Sequence, residues 1–342
     1  MLNILSLQPL RKKKSGPVKL ATNLIKWLEL INKPYVINWD TKIFKNIYAI
    51  DGFFWKELMY APKDAEILIW PITSKKGKDI EKYLNNYTFV YASNRIKNIW
   101  DNHWWHKKSI CRPVWIDTHK YKPSQEKRDR VLVYTKRRKE EEYNSVVKIL
   151  EKLQIKYCHI DYDKWYSEWY FINQLKKTKY TIRIWWSETQ WIAIWEILAM
   201  DVPILLRDIK KVINYEKSEL RSDIYTNNEI NEFATSAEYF DKTCWIKFYN
   251  WDEVENNIKL MEKSYKNFKP RQYILKNLSL EKQAKELISF YSNPEQWNNL
   301  KMWLRNKIRN FCLKLFVPII DTKIYKHIQP FILKTYYIIF KK

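Results

Sequence analysis

The stretch KYTIRIWWSETQWIAIWEILAMDVPILL, residues 179–206, contains in one run the pattern that decides the fold. KYTIRI at 179–184 is rich in β-branched and apolar residues, as strands are, and residues 191–200 carry apolar side chains at helical spacing. DVPILL at 201–206 follows directly as a second strand-like run. A strand, a turn, a helix and another strand in succession predict neighbouring strands of a parallel sheet.

The same alternation extends to both sides of this stretch. Strand-like runs in the first part of the chain lie at 2–8, 35–38, 47–50, 66–69 and 88–93. A second series has strand-like runs at 131–135 and 155–160, and helical patterns at 140–153 and near 170–177. Two similar halves of alternating strands and helices predict an α/β protein with two sheets.

The domain organisation follows from these halves and the polar, proline-containing segment between them, RPVWIDTHKYKPS at 112–124. We predict an N-terminal Rossmann-like domain at 1–116, a second domain at 117–290 and a helical basic extension at 291–342. Within the second domain, residues 252–290 predict two helices with polar faces.

Composition limits the class of protein and its partners. The 342-residue chain has 62 Lys and Arg against 38 Asp and Glu, a formal charge of +24, which favours anionic partners such as phosphates, nucleic acid or acidic lipid. Its four cysteines are widely separated, so they predict neither a disulfide framework nor a zinc site. With no secretory signal or run of about 18 apolar residues, we expect a cytoplasmic protein. Its basic tail either packs on the protein or lies on the anionic inner face of a membrane.

Glycine and tryptophan occur in unusual numbers, 3 and 18. An average chain of this length would contain roughly 24 glycines at about 7% usage. Trp39, Trp70 and Trp115 stand where turns are predicted, and glycine is the usual residue where φ is positive or two backbones approach closely. We hypothesise that UGA codons specify glycine in the source organism and that most of these tryptophans are glycine there. The alternative is a genuine tryptophan-rich core or stacking surface.

With glycine at its tryptophan positions, the segment 185–203 reads GGSETQGIAIGEILAMDVP. It resembles the donor-binding segment of the group-1 family of retaining GT-B glycosyltransferases, whose mark is two glutamates separated by seven residues. Glu188 and Glu196 have this spacing, and Asp201 stands where the family more often has glycine. The resemblance implies two Rossmann-like domains facing across a cleft. It also implies that Glu188 contacts donor-sugar hydroxyls and that Glu196 binds the nucleotide ribose.

The turn before the helix is the predicted phosphate site. Ser187 and Thr189 lie in it, with Trp185, Trp186 and Trp191 as the positions expected to be glycine. A small-residue turn at a helix N-terminus presents backbone N–H groups and a partial positive charge to a diphosphate.

Cations for the diphosphate are expected after the strand VLVY, where Lys136, Arg137 and Arg138 follow one another. We select Lys136 and Arg137, because guanidinium and ammonium groups at the carboxyl edge of an open α/β sheet suit a phosphate ligand. Which of the three points inward stays open, and an ordinary solvated basic turn is the alternative. Gly16, in a loop similar to the family's glycine-containing loop, is a further candidate for contact with the donor.

A second element of the same family is similar to RPVWIDTHKYKP at 112–123, read with glycine at Trp115. Pro113, Asp117 and Pro123 fall into register with the family's interdomain element, and Tyr121 replaces its common phenylalanine. The resemblance implies a linker that shapes the cleft.

The predicted function is therefore that of a retaining, metal-independent glycosyltransferase, with a nucleotide sugar as donor substrate and no cofactor. A glycan or a lipid-linked molecule is the expected acceptor, and no nucleic acid partner is expected. We assign no protein base, because the leaving phosphate assists deprotonation of the acceptor in the family's scheme. The alternatives are a basic, aromatic-rich nucleic-acid-binding protein, which requires genuine tryptophans, and an epimerase or phosphorylase-like relative.

Overall fold

The computed structural model describes twelve stretches of the chain: residues 1–6, 16–38, 40–50, 55–70, 84–94, 97–98, 101, 108–136, 140–184, 192–208, 235–236 and 238–291. The strands in these stretches are β1 (Leu2–Leu5), β2 (Tyr35–Ile37), β3 (Asn46–Ala49), β4 (Glu66–Ile69), β5 (Tyr87–Tyr91), β6 (Ser109–Cys111), β7 (Arg130–Thr135), β8 (Tyr157–Asp161), β9 (Thr178–Ile184), β10 (Ile204–Arg207) and β11 (Trp245–Phe248).

The α-helices in the same stretches are α1 (Gly16–Leu30), α2 (Trp55–Leu58), α3 (Glu140–Lys152), α4 (Glu168–Lys176), α5 (Ile192–Ala199), α6 (Val254–Ser264), α7 (Pro270–Asn277) and α8 (Leu280–Phe290). Two of them begin in ordinary ways. The side chain of Ser167 accepts a hydrogen bond from the Tyr170 N–H and so caps α4, and Pro270 begins α7 where its missing N–H costs nothing.

Two sheets organise the chain. The first has the strand order β2-β1-β3-β4-β5-β6 and the second has the order β11-β10-β9-β7-β8. All four pairs of neighbours in the second sheet are parallel, as are the pairs that join β1 to β2 and β3, β3 to β4, and β4 to β5 in the first. The predicted α/β class with parallel sheets is confirmed.

Both sheets share one winding order. When the strands of the second sheet are numbered along the chain from β7, their order across the sheet is second-first-third-fourth-fifth. The first sheet, numbered from β1, begins in the same way. This is a doubly wound order in which the direction of winding reverses between the first and third strands. In the second sheet, that reversal lies between β7 and β9.

The pairing of β7 with β9 contains one irregularity near its start. Arg130 pairs with Thr178 and Leu132 with Thr181, so two steps along β7 match three along β9. From there the pairing is regular up to Thr135 and Ile184, the last residues of the two strands. The extra residue in β9 has the character of a β-bulge.

The core of the second sheet is apolar on the face that packs against α3 and α6. Its fully buried members come from strands and helices alike: Val131, Val133, Val146, Leu150, Tyr180, Ile182, Ile184, Leu205, Phe248, Val254, Ile258 and Met261. Strands covered on both faces read as near-continuous apolar runs, which is why VLVY and ILL were recognisable in the sequence.

Residues 252–290 contain three α-helices, so the prediction of two is wrong. The chain breaks first around the short 3-10 turn Tyr265–Asn267, after which Pro270 begins a new helix, and again between Asn277 and Leu280. The edge strands β6 and β11 were not predicted, since their residues are mostly half-buried and lack a strong apolar pattern. β10 begins at Ile204 rather than at 201, because Pro203 has no N–H to donate to the ladder.

The chain divides into two compact units, one of Met1–Phe89 with Glu286–Lys342 and the other of Val90–Lys285. The predicted domain bounds at 116 and 290 stay predictions. All residues of the candidate site described next, apart from Gly16, belong to the second unit.

Two of the tryptophans that we hypothesise to be glycine do not have the positive φ angle that would require glycine. The described residues with positive φ are Asn32, Asn38, Gln154 and Asp201, so neither Trp70 nor Trp115 has that conformation. Both side chains are buried in irregular segments. Trp39 lies outside the described residues, and the recoding hypothesis itself stays a prediction.

Candidate functional site

The reversal of winding between β7 and β9 marks the expected ligand edge of the second sheet. In open α/β sheets, ligands bind outside the carboxyl ends of the strands at this point, because the flanking loops diverge there and leave a crevice. Thr135 and Ile184 end the two strands and are direct partners in the ladder. Neighbouring strands lie about 4.8 Å apart. The ends of the two strands therefore lie side by side.

Lys136 is the first residue after β7. It is half-buried, and its Nζ lies 4.5 Å from the centroid of the Tyr162 ring, just beyond the end of β8. An ammonium at this distance over an aromatic face is held by cation–π attraction. The geometry keeps this predicted phosphate-binding cation at the carboxyl edge of the sheet.

Most other predicted donor-site residues lie outside the described residues: Arg137, Arg138, Trp185, Trp186, Ser187, Glu188, Thr189 and Trp191. Their assignments stay predictions. The strands that precede these two segments end at Thr135 and at Ile184.

Glu196 lies within α5 and is only 2% exposed. Every residue of this helix is buried, including Trp195, which is why the helix is apolar all round apart from its one glutamate. A carboxylate in such a helix is costly to bury without polar neighbours. Its surroundings therefore bear directly on the role predicted for it.

Glu196 acts electrostatically on three tyrosines, Tyr121, Tyr134 and Tyr166. Burial, followed by the effects of Glu196 and Glu168, raises the pKa of Tyr121 far above its ordinary range. Burial also raises the pKa of Tyr134, to which the neighbouring Tyr166 and then Glu196 contribute, and it raises the pKa of Tyr166 to about 12. The hydroxyls of Tyr134 and Tyr166 are 2.5 Å apart. These tyrosines are neutral and act as hydrogen-bonding groups.

A histidine contacts the end of β7 from the neighbouring strand. Nε2 of His159 lies 2.8 Å from Oγ1 of Thr135, and its ring stacks on Tyr143 with centroids 4.0 Å apart. Burial lowers the pKa of His159, which favours the neutral imidazole. In that state the Thr135 hydroxyl can donate to Nε2, and the contact joins β8 to the strand that precedes Lys136.

Two arginines hold the C-terminal end of α5. The Arg128 guanidinium donates to the carbonyls of Asp201 and Met200 at 2.6 and 2.9 Å. That of Arg271 donates to Ala199 O at 2.5 Å. The two guanidinium groups donate to carbonyls that have no partner within the helix, as at every helix C-terminus. Their positive charges also interact favourably with the negative end of the helix dipole.

Asp201 completes this helix end. Its φ of 58° is in the left-handed region, as expected where the resembled family has glycine, and Asn and Asp tolerate that region best after glycine. Its Oδ1 accepts a hydrogen bond from the Arg271 backbone N–H at 3.1 Å. The departure from glycine is thus accommodated by a local contact.

A second polar cluster lies at the ends of β10 and β11. Asp208, 4% exposed, forms an ion pair with Lys247 at 2.9 Å and accepts a hydrogen bond from the Ser236 N–H at 2.7 Å. The Arg183 side chain, 1% exposed, donates to the Ser236 carbonyl at 2.5 Å. None of these residues was identified from the sequence, because only the fold brings the segment around Ser236 to these strands.

Gly16, the remaining predicted contact, is the first residue of α1 in the first unit. Within the described residues, no helix combines the length and the apolar character that a membrane crossing needs. Nor do three or more His, Cys, Asp or Glu side chains of the described part gather at a point that could hold a metal ion.

Comparison with known proteins gives similarity in structure and not in sequence. No protein-family model matches the chain, and no curated protein matches it either. Among solved structures, the sucrose-phosphate synthase of Thermosynechococcus elongatus matches with a TM-score of 0.53 at 7% identity, over 85% of this chain and 98% of that one.

Two further structures match less well. TarM gives a TM-score of 0.48 at 13% identity over 79% of this chain, and the pneumococcal O-GlcNAc transferase GtfA, in complex with UDP and GlcNAc, gives 0.47 at 11% over 80%. The chain spans 57% of TarM and 59% of the pneumococcal enzyme. The match to the synthase carries the conclusion: the chain has an α/β fold of two parallel sheets, and its structural neighbours are GT-B glycosyltransferases.

Proposed function

We propose that the chain is a glycosyltransferase that moves a sugar from a nucleotide-sugar donor to an acceptor hydroxyl. The observation that carries this proposal is the pairing of Thr135 with Ile184 at the reversal of winding in the second sheet. The strand ends that precede the predicted cationic turn and the predicted phosphate turn, 185–191, are therefore neighbours at the edge where such sheets bind ligands. The fold shared with the synthase is consistent with the proposal.

The roles of the residues follow from their chemistry and from the family resemblance. Lys136 and Arg137 would neutralise the diphosphate, and N–H groups of the 185–191 turn would donate to its oxygens. Ser187 and Thr189 would add hydroxyl donors. In the resembled family, the glutamates corresponding to Glu188 and Glu196 contact the donor sugar and the ribose, respectively, and we propose the same here.

The proposed reaction breaks the bond between C1 of the sugar and the phosphate oxygen, and it forms a bond from C1 to the acceptor oxygen on the same face. The acceptor proton passes to the leaving phosphate, so the products are a glycoside and a nucleoside diphosphate. The main contribution of the protein is electrostatic, because negative charge grows on the diphosphate as the bond breaks. Retention of configuration and operation without a metal ion are parts of the proposal that come from the resemblance.

Anionic partners fit the charge of +24. We propose a glycan or lipid-linked acceptor, with Gly16 close to the donor or the acceptor. We also propose a cytoplasmic location, in which the basic tail at 291–342 contacts the inner face of a membrane. A nucleic-acid-binding role is not favoured, since the structural neighbours are glycosyltransferases.

We further propose that many tryptophans are glycine in the native protein. The side chains of Trp165 and Trp169 are 90% and 73% exposed, an unusual position for indoles that pack against little else. The Nε1 atoms of Trp27 and Trp245 are buried with no hydrogen-bond partner among the described residues, although buried indoles ordinarily have one. Glycine at these positions would remove both anomalies.

The test begins with the codons of the tryptophan positions, or with the masses of tryptic peptides from the native protein. UGA codons and glycine masses would support the recoding, and UGG codons throughout would exclude it. The full chain with the residues so determined is then incubated with UDP-, GDP- and ADP-sugars, and release of the nucleoside diphosphate and transfer of the sugar are measured.

Two variants with matched controls then test the site. Lys136→Ala and Glu188→Ala should each lower kcat roughly 100-fold, as expected for removing one group that stabilises the transition state. The exposed Lys148→Ala and Glu126→Ala should leave kcat unchanged. Full activity of the Lys136 and Glu188 variants would show that the site is wrongly assigned. Salt-sensitive binding of single-stranded nucleic acid, with no turnover of any nucleotide sugar, would instead favour the alternative function.

A further inference from the structure

An exposed apolar patch lies on the first unit, on the two segments that lead into β3 and β4. Ile43, Met59 and Tyr60 form it, with exposed fractions of 60%, 44% and 63%. They are three of the four large apolar side chains that are exposed in the described part of this unit. Neighbouring apolar side chains exposed in this way mark an interaction site on a soluble protein.

Contacts between the two segments hold the patch together. Oγ1 of Thr41 donates a hydrogen bond of 2.5 Å to the Glu57 carbonyl, and Nζ of Lys42 lies 5.2 Å from the centroid of the Tyr60 ring. The first residue of each pair comes from the segment before β3, and the second comes from the end of α2 or the residues just after it. The two segments therefore form one surface.

The charges on these two segments balance. Three lysines and three acidic residues stand on them: Lys42, Lys45, Lys63, Asp40, Glu57 and Asp64. Anionic lipid and nucleic acid are attracted by an excess of positive charge, which this surface lacks. The patch therefore favours a partner that binds through apolar contact, and it does not repel a basic one.

The last described part of the chain lies beside this surface. Tyr291, just after α8, is 1% exposed, and its hydroxyl donates a hydrogen bond of 3.0 Å to the carbonyl of Ile47. Ile47 is the second residue of β3, four positions after Ile43, so the two lie no more than about 14 Å apart. The chain beyond Tyr291 thus starts close to the apolar patch.

The segment 292–342 follows that point, 51 positions outside the described part of the chain. It contains two strongly apolar runs, FCLKLFVPII at 311–320 and FILKTYYIIF at 331–340. It also has 10 Lys and Arg against 2 acidic residues. A segment of this length is more than long enough to reach the patch, and its apolar runs gain free energy when they leave water.

We propose that the segment 292–342 folds back on the first unit and covers the apolar patch with its apolar runs. This inference goes beyond the proposed function, since it requires no nucleotide sugar. A second copy of the chain is the weaker candidate, because a segment tethered beside the patch has a much higher effective concentration there. The basic residues of the segment can still contact a membrane, since only its apolar runs are needed to cover the patch.

The first experiment places a photo-crosslinker in the patch of the full native chain. Tyr60→p-benzoylphenylalanine is irradiated in an equal mixture of isotope-labelled and unlabelled protein, and the crosslinked tryptic peptides are identified by mass spectrometry. We expect peptides from 292–342, each carrying the isotope composition of its own chain. Leu260→p-benzoylphenylalanine, at a 51% exposed leucine of α6, is the matched control and should give no such peptides.

The second experiment measures how strongly the patch holds the segment. The double substitution of Ile43→Ser with Tyr60→Ser should raise the rate of tryptic cleavage at the lysines and arginines of 292–342 by about 10-fold or more. Burial of two large apolar side chains corresponds to at least this factor. Leu260→Ser should leave the rate unchanged. Melting curves check that each variant is folded, as expected for substitutions at exposed positions.

Crosslinks to a second copy, or no crosslink to any peptide of 292–342, would overturn the proposal. A cleavage rate that stays unchanged in the double variant would do the same. Binding to vesicles of phosphatidylcholine and phosphatidylglycerol is measured in parallel. If the double variant loses that binding while its cleavage rate stays the same, the patch contacts lipid and not the segment. These measurements use no sugar donor, so a failure of the proposed function leaves their outcome intact.

Discussion

Arg271 connects the end of α5 with the segment of Tyr121, and replacing it by methionine tests how much that connection stabilises the second unit. The guanidinium donates to three backbone carbonyls, those of Ala199 at 2.5 Å, Tyr121 at 2.9 Å and Thr118 at 3.2 Å. Methionine keeps much of the apolar stem but provides no donor. The substitution therefore removes the hydrogen bonds with little loss of packing.

The expected magnitude follows from the three contacts. Hydrogen bonds from a charged donor contribute about 1.5–3 kcal/mol each. The contact with Thr118 is near the upper limit of length, and the half-buried position lets water replace part of what is lost. Counting two contacts near the low end, we expect the free energy of unfolding to fall by about 3 kcal/mol.

The assay is urea-induced unfolding followed by circular dichroism, with amide hydrogen exchange in α5 as a local measure. Lys276→Met, an exposed cation on the same helix as Arg271, is the matched control and should change the free energy by less than about 0.5 kcal/mol. If Arg271→Met does not differ from Lys276→Met, the carbonyl contacts are not what holds this helix end.

Two further predictions concern the same region. Asp201→Gly should change the free energy of unfolding by less than about 1 kcal/mol in melting experiments, because glycine relieves the strain of the positive φ and so offsets the lost hydrogen bond from the Arg271 N–H. Asp201→Val should lower the free energy of unfolding by more than about 2 kcal/mol. For pH, burial lowers the pKa of His159 in the folded protein, so the unfolded chain binds more protons between that pKa and the ordinary value of about 6.5. Stability should therefore be fully present above about pH 6.5 and decline as the pH falls toward the folded-state pKa. His159→Gln should flatten that decline in unfolding curves measured across this range; an unchanged slope would show that another group is responsible.

The alternation of strands and helices could be predicted from the sequence because buried parallel strands leave continuous apolar runs. VLVY and EILI are examples, and both are strands in the structure. The edge strand at Trp245–Phe248 left no such signal, since three of its four residues are half-buried. The break before Pro270 did leave one, because proline at the first helical position marks a new helix.

The surroundings of Glu196 could not be predicted from local sequence. Glu168 and Tyr121 are 47 positions apart, and Arg271 lies 150 positions from the Tyr121 carbonyl that it contacts. A glutamate in an apolar helix indicates a polar neighbourhood, but only the fold joins Tyr121 to Glu168 and, through Arg271, to the end of α5. The family resemblance identified Tyr121 as a replacement for phenylalanine. The hydrogen bond from its hydroxyl to Glu168 is visible only in the structure.

The extra residue near the start of β9 also determines where the chain can change in length. Deleting Lys179 would make two steps along β9 match two along β7, so the Arg130–Thr178 and Leu132–Thr181 pairs can both persist in a regular ladder. Ile184 would then still face Thr135. Inserting a residue in the regular part between Thr181 and Ile184 would instead move Ile184 out of register with Thr135 and turn the residues after the insertion to the opposite face of the sheet. A homologue should therefore lose a residue near the start of this strand more readily than near its end.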